Sequence, residues 1–277
     1  MIEHTFEGQG SLKLFARSWH PDGAPRSIVI LVHGWKSHSG LYEWAAQQLS
    51  QAGSAVYGFD LRGHGRSEGE RYHVDAFDDY VADLERFVAL ARSREPELPL
   101  FLLGHSAGGV IGSLYALAQP AALAGFICED ISFELPAPDA ALAVIKGLSH
   151  VAPHAHFLNL KDEDFSRDAE FVAAMKRDPC VNHIPGTVQL LAEIVRADAR
   201  LREQFSQVSV PLLILHGTAD RVAKPHGSQF FYDSAASVDK QLKLYEGHYH
   251  DLLNDLGKEQ VMADIAAWIG ARSPNQP

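Results

Sequence analysis

Leu100-Phe101-Leu102-Leu103-Gly104-His105-Ser106-Ala107-Gly108-Gly109 decides how this chain is read. An apolar run of strand type meets a Gly-x-Ser-x-Gly pattern, and an apolar, helix-like run follows over residues 110–118. A serine between two glycines is common by chance. A serine at the tip of a strand, on a tight turn just ahead of a helix, is a nucleophile elbow. Gly104 and Gly108 lack a Cβ and let strand and helix approach closely. Ser106 is then expected in a strained conformation with its Oγ available for chemistry. The free N–H groups and positive dipole end of the following helix face any oxyanion that develops there.

Strand and helix patterns alternate outward from this point. Two antiparallel strands are predicted before Trp19, the second over 12–18. Residues 27–32 are continuously apolar, as a parallel strand buried on both faces should be. A helix is predicted over 42–49, a strand over 55–59, a helix over 77–92 with apolar residues at helical spacing, and a strand over 123–128. The sheet resumes at 210–215 and 242–245, with helices over 227–235 and 261–269. The pattern predicts an α/β fold, a mostly parallel doubly wound sheet flanked by helices. Ligands sit at the carboxyl ends of the strands in such sheets, and His33, Asp60, Ser106 and Asp130 all follow strand ends. An active-site acid at Asp60 or a ligand role for His64 is conceivable here, but the favoured reading is a turn pinned by contacts of Asp60 and Arg62 to backbone groups.

From 133 to 206 the character changes. Strand-like runs vanish, and helices are predicted over 140–148, 168–176 and 187–198, separated by Pro136, Pro138, Pro153, Pro179 and Pro185. This segment is expected to be a helical cap, or lid, inserted into a core formed by 1–132 and 207–277. Its apolar residues exceed a linker's needs, so Leu142, Ile145 and Leu148, with Trp35, His105, Phe133 and Val222, are candidate walls of a substrate pocket. Lys161-Asp162-Glu163-Asp164 reads as a solvated turn. His150, His154 and His156 cluster in the cap, but no cysteine or paired carboxylate stands at ligand spacing, so no metal site is expected.

A serine hydroxyl is inert at neutral pH until a base takes its proton, and a carboxylate must orient that base. The chain offers Ser106, Asp220 and His250 in that order, each on a loop after a strand. His248 competes with His250, and Asp130 with Asp220; position in the motif favours His250 and Asp220. The oxyanion would be held by the backbone N–H groups of Trp35 and Ala107. His33 and His105 read as loop-orienting residues.

Taken together, the motifs resemble the monoacylglycerol lipase and lysophospholipase branch of the α/β-hydrolases, often labelled serine aminopeptidase-like. The resemblance spans nearly the whole chain. It rests on His33-Gly34 followed by His38-Ser39 and Tyr42, on Asp60-Leu61-Arg62-Gly63-His64-Gly65-Arg66-Ser67, and on Gly104-His105-Ser106-Ala107-Gly108-Gly109. It rests further on His216-Gly217-Thr218-Ala219-Asp220-Arg221-Val222 and on the run from Asp239 to His250. The resemblance implies a lid over an apolar tunnel, with Ser106 as nucleophile, Asp220 as acid and His250 as base, acting on neutral acyl esters without a cofactor. Departures lie in the cap and at Glu129-Asp130-Ile131-Ser132, where an acidic residue at the pocket mouth would discourage anionic substrates.

Composition narrows the alternatives. The chain has 277 residues, 46% of them hydrophobic, enough for a large core. A net charge of −11 disfavours nucleic acid and anionic membrane partners. No signal peptide and no run long enough to span a bilayer is recognised, and Cys128 and Cys180 read as unpaired, so a cytoplasmic setting is expected. A small-ester esterase, or a peptidase, thioesterase or C–C bond hydrolase, could use the same triad, and a non-catalytic receptor could keep the fold. A dinucleotide enzyme is disfavoured because no Gly-x-Gly-x-x-Gly follows the first strand.

Overall fold

The computed structural model describes residues 1–133, 139–158 and 160–274. Pro136 and Pro138 lie outside the described residues, as does the end of the tail from 275 to 277. The strands and helices follow in chain order. They are β1 (Ile2–Glu7), β2 (Lys13–Trp19), β3 (Ser27–Val32), α1 (Glu43–Gln51), β4 (Ser54–Phe59), α2 (Asp78–Arg94), β5 (Leu100–His105), α3 (Ala107–Ala118) and β6 (Gly125–Glu129). Next come α4 (Asp139–Leu148), β7 (His156–Leu158), α5 (Ala169–Arg177), β8 (Gly186–Thr187) and α6 (Val188–Gln204). The chain closes with β9 (Leu212–Gly217), α7 (Pro225–Ser234), β10 (Lys240–Tyr245) and α8 (Lys258–Gly270).

Eight strands form one sheet in the order β1-β2-β4-β3-β5-β6-β9-β10. β1 and β2 are antiparallel to their neighbours. From β4 onward every pairing is parallel. β3 and β5 lie at the centre and are buried along their whole length, which explains their unbroken apolar sequence. Side chains alternate between two cores. Ile28, Ile30 and Val32 join α2, α3, α6 and α7 on one face, whereas Val29 and Leu31 join α1 and α8 on the other.

The fold is the α/β-hydrolase fold expected from the sequence, with three differences of detail. Helix α3 begins at Ala107, directly after Ser106, rather than at 110. Gly108 and Gly109 are poor helix formers, but a Cβ on Gly108 would stand 2.0 Å from the Val32 carbonyl oxygen, so close packing overrides propensity. The segment between β6 and β9 is not purely helical, since β7 and β8 form a two-stranded antiparallel ladder. These strands have three and two residues, too short for any alternation to register. Nor is the 161–164 turn fully solvated: Asp162 pairs with the ammonium of Lys36, itself 4% exposed, which also donates to the Leu160 carbonyl at 2.7 Å.

Candidate active site

The turn after β5 places Ser106 at φ 55°, ψ −116°, a backbone conformation that residues with a Cβ seldom adopt. Next to it, Asp130 directly follows β6 at φ 44°. Ser106 is held by its own N–H, which donates to the Glu129 carbonyl at 2.9 Å, and the Val110 N–H in turn donates to the Ser106 carbonyl. Its Oγ lies 2.8 Å from His250 Nε2, and His250 Nδ1 lies 2.7 Å from Asp220 Oδ2. A carboxylate accepts only, so Nδ1 carries the proton and Nε2 is free to take the one on Ser106. Three residues far apart in sequence, from the ends of β5, β9 and β10, thus form one chain of hydrogen bonds.

Asp220 is held at both oxygens. Oδ1 accepts from the N–H groups of Val222 at 2.7 Å and Ala223 at 3.0 Å. Oδ2 receives His250 and also His216 Nε2, which stands 3.1 Å away. Burial alone would push this carboxyl up; the charge of His250 and hydrogen bonds from both imidazoles outweigh it and hold the group far below the ordinary carboxylate range. His216 is fully buried, and its other nitrogen contacts Ser228 Oγ at 2.7 Å. This second imidazole on the acid was not singled out from the sequence. The signal for it was its place at a strand end, four residues before Asp220, at the head of the 216–222 motif.

The rival assignments are placed elsewhere. His248 turns toward Asp255, 3.5 Å from its carboxylate, and packs on Tyr245. Asp130 accepts from the Gly217 N–H at 2.8 Å, and Glu129 accepts from Leu253 N–H at 3.0 Å. Both acids are completely buried beneath the triad rather than at a pocket mouth, which corrects that expectation. Burial, reinforced by neighbouring carboxylates, pushes both well above the ordinary carboxylate range.

The loops are braced as the sequence suggested. His33 is buried; its Nε2 accepts from Leu61 N–H at 2.9 Å, so Nδ1 donates to the Gly34 carbonyl at 2.7 Å. Burial lowers it to about 3, so it stays neutral and keeps this tautomer. The bond fixes the peptide that leads into Trp35. Ala107 opens α3, where the helix has no internal acceptor for its N–H. Asp60 accepts from Ser39 and Arg66 N–H groups, and Arg62 clamps Asp83 at 2.7 and 2.8 Å. His105 is buried, with Tyr42 Oη at 2.8 Å from Nδ1 and the His250 carbonyl at 3.1 Å from Nε2, so it positions the loop of the base. Phe165, from the segment between β6 and β9, packs edge-on against the His250 ring at 5.4 Å. Nothing in the sequence marked it.

Trp35 borders a small apolar cavity with Lys36, Tyr72, Leu160, Leu190 and Leu191, whose volume of about 20 Å³ admits one water-sized molecule. The other residues expected to form a pocket wall are dispersed. Phe133 is buried against Phe205 and Phe230. Val222 packs in the Phe165–Met175–Val181 cluster. Ile145 touches the main core, Leu142 is half-buried, and Leu148 is exposed.

A serine, an imidazole and a carboxylate in this order, on this sheet, define a triad-bearing α/β-hydrolase. Over residues 23–257 the chain matches the family model described as serine aminopeptidase, S33, and it belongs to that family. Among curated relatives it is 35% identical to a monoacylglycerol lipase of Mycolicibacterium smegmatis, with 96% of each chain covered. It is 34% identical to the human monoglyceride lipase, covering 98% of this chain and 91% of that one. A crystal structure of the Paleococcus ferrophilus monoacylglycerol lipase superposes with a TM-score of 0.85 at 28% identity, covering 94% of this chain and 99% of that one. Among the described residues, no helix is long and apolar enough to cross a membrane.

Proposed function

We propose that this chain is a serine hydrolase that cleaves monoacylglycerol-like carboxylic esters. The observation that carries the proposal is the continuous Ser106–His250–Asp220 chain at 2.8 and 2.7 Å. His250 Nε2 takes the Ser106 proton as Oγ attacks the ester carbonyl. The carbonyl oxygen gains charge between the N–H groups of Trp35 and Ala107, at the positive end of α3. His250, now cationic and stabilised by Asp220, gives its proton to the departing alcohol. Water then repeats the sequence on the acyl-enzyme and frees Ser106. The chain's own groups supply base, acid and oxyanion donors, so the scheme calls on no cofactor.

Residues 133–206 act in this reading as a cap over the core of 1–132 and 207–277. Support for a lipid-like acyl substrate comes from the full-length likeness to monoacylglycerol lipases and from apolar side chains that the cap leaves exposed, including Val144, Val151 and Phe157. A cytoplasmic location belongs to the same proposal and is supported by two free cysteines, Cys128 and Cys180. A second reading, as an esterase of small soluble esters, draws on the tightness of the cavity beside Trp35 and on 31% identity to a caffeoylshikimate esterase of Arabidopsis thaliana.

Hydrolysis of monoacylglycerols, a lysophospholipid and 4-nitrophenyl esters from acetyl to palmitoyl separates these readings, with Ser106→Ala as control. The expected result is Ser106-dependent turnover that is greatest at medium or long acyl chains, lost by about 10⁴-fold or more in the variant. A maximum at acetyl or butyryl selects the small-ester reading. Turnover that survives in Ser106→Ala overturns both.

A further inference from the structure

Outside the triad, among the described residues, a group of side chains converges that the reaction does not use. Glu70 and His73 lie on the core loop between β4 and α2, and His154 lies in the cap just before β7. Each offers one nitrogen or carboxylate oxygen, and the three atoms lie within 4.8 Å of one another. The His73 and His154 rings are stacked 4.4 Å apart, and His154 Nδ1 contacts Glu70 Oε1 at 2.9 Å. His154 is thus removed from the His150–His156 grouping visible in the sequence and joined to residues more than eighty positions away.

The hydrogen bonds of His73 determine its tautomer. Thr187 Oγ1 donates to the Tyr72 carbonyl at 2.9 Å, so at 3.3 Å from His73 Nδ1 it can only accept, and Nδ1 carries the proton. In the neutral ring Nε2 bears the lone pair, and it faces the Asp75 carboxylate at 3.3 Å. Two acceptors facing each other make a place for a cation, either a proton on the ring or a metal ion between them. His73 is 8% exposed, whereas the Asp75 side chain is 94% exposed and free to swing.

We propose that Glu70, His73 and His154, with Asp75 or water as a fourth ligand, form a binding site for a borderline divalent transition cation such as Zn²⁺. Two imidazoles and carboxylate oxygens suit that ion rather than Mg²⁺ or Ca²⁺. Tetrahedral ligands with bonds near 2.0 Å stand about 3.4 Å apart, so the site closes by roughly an ångström. Exposed Glu70 and His154 can supply that movement by rotamer change. The bound ion ties the core loop to the cap next to the cavity, since Tyr72 lies between two of the ligands in sequence and lines it. Cation binding therefore holds the cap down and slows substrate entry. This last step rests on the function proposed above; the binding itself does not.

The test titrates the metal-free full chain with ZnCl₂ by calorimetry and by competition with a chromogenic chelator, with MgCl₂ as control. One Zn²⁺ per chain is expected, binding at least tenfold more weakly in both His154→Ala and Glu70→Gln, with a Zn²⁺-dependent rise in Tm that His154→Ala removes. Zn²⁺ should also slow ester turnover in the wild type, reversibly with EDTA, and not in His154→Ala. Absence of stoichiometric binding, or binding unaltered by both substitutions, overturns the site. Site-specific binding with unchanged turnover overturns the clamp, and a chain without esterase activity leaves the binding and Tm measurements to decide the site alone.

Discussion

The loops at the carboxyl edge of the sheet and the segment between β6 and β9 are built on opposite principles. At the sheet edge every group is held from several sides. The Asp220 carboxylate has four donors within 3.1 Å, His33 and His105 have both ring nitrogens engaged, and Ser106, His105 and His250 are at most 4% exposed. In the intervening segment, Val151 is 83% and Phe157 66% exposed, and α4 leans chiefly on α6. Fixed geometry is what proton transfer and charge stabilisation demand. Apolar surface left in water is costly, and it makes sense where a lipid-like molecule is to be met. Besides the packing of α6 in the main core, the contacts that join the two regions include Lys36 with Asp162, His38 with Asp178, Arg167 with Asp255, and Phe165 against His250.

The sharpest way to break this contrast is at Asp220. Asp220→Asn keeps the side-chain shape but lets His250 present the wrong nitrogen to Ser106. Steady-state kinetics should show kcat falling by about 10⁴-fold, with the fold intact by circular dichroism. A loss under tenfold would mean the acid is not part of a rigid array.

Next in size is a pH effect in the same core. Asp251 is buried beneath the triad, contacted by Tyr42 Oη at 3.3 Å and Asn254 Nδ2 at 3.0 Å. Burial raises its carboxyl from 3.8 to about 6. Between those values the folded chain holds a proton that the unfolded chain has lost, so this residue makes stability fall as pH rises through the window, and the full penalty is present above it. Asp251→Asn should flatten that fall and gain as much as about 3 kcal/mol at pH 8 relative to its gain at pH 4, measured by urea unfolding. An unchanged pH profile would show that the carboxylate is already satisfied.

The smallest effect is expected in the segment between β6 and β9. Val151→Ser should leave stability within about 0.5 kcal/mol. It should raise KM for long-chain esters by about fivefold, the worth of roughly 1 kcal/mol of apolar contact, and leave acetyl ester kinetics unaltered. A large loss of stability would instead make this surface part of the protein's own packing.

These differences also explain what could be read in advance. Burial on both faces wrote β3 and β5 as unbroken apolar runs, and the elbow's need for small neighbours left glycines around Ser106. The order Ser106, Asp220, His250 was legible because each follows a strand. His216, Tyr42 and Phe165 were not, because their partners are set by tertiary approach rather than by local pattern. Glu129 and Asp130 misled for a related reason: acidic letters suggest solvent, and only the fold shows two buried acids in the core. Between β6 and β9, a two-residue strand and an ion pair between Lys36 and Asp162 leave no periodic trace at all.

The backbone at Ser106 carries a further implication. With φ 55° and ψ −116° the residue occupies a region where glycine is at ease and serine is not. Ser106→Gly relieves that strain, so the inactive chain should outlast the active one on heating. Drift governed by stability alone would erase the nucleophile. Its persistence in any lineage of such chains is therefore a record of selection for turnover, written at a position where folding would choose otherwise.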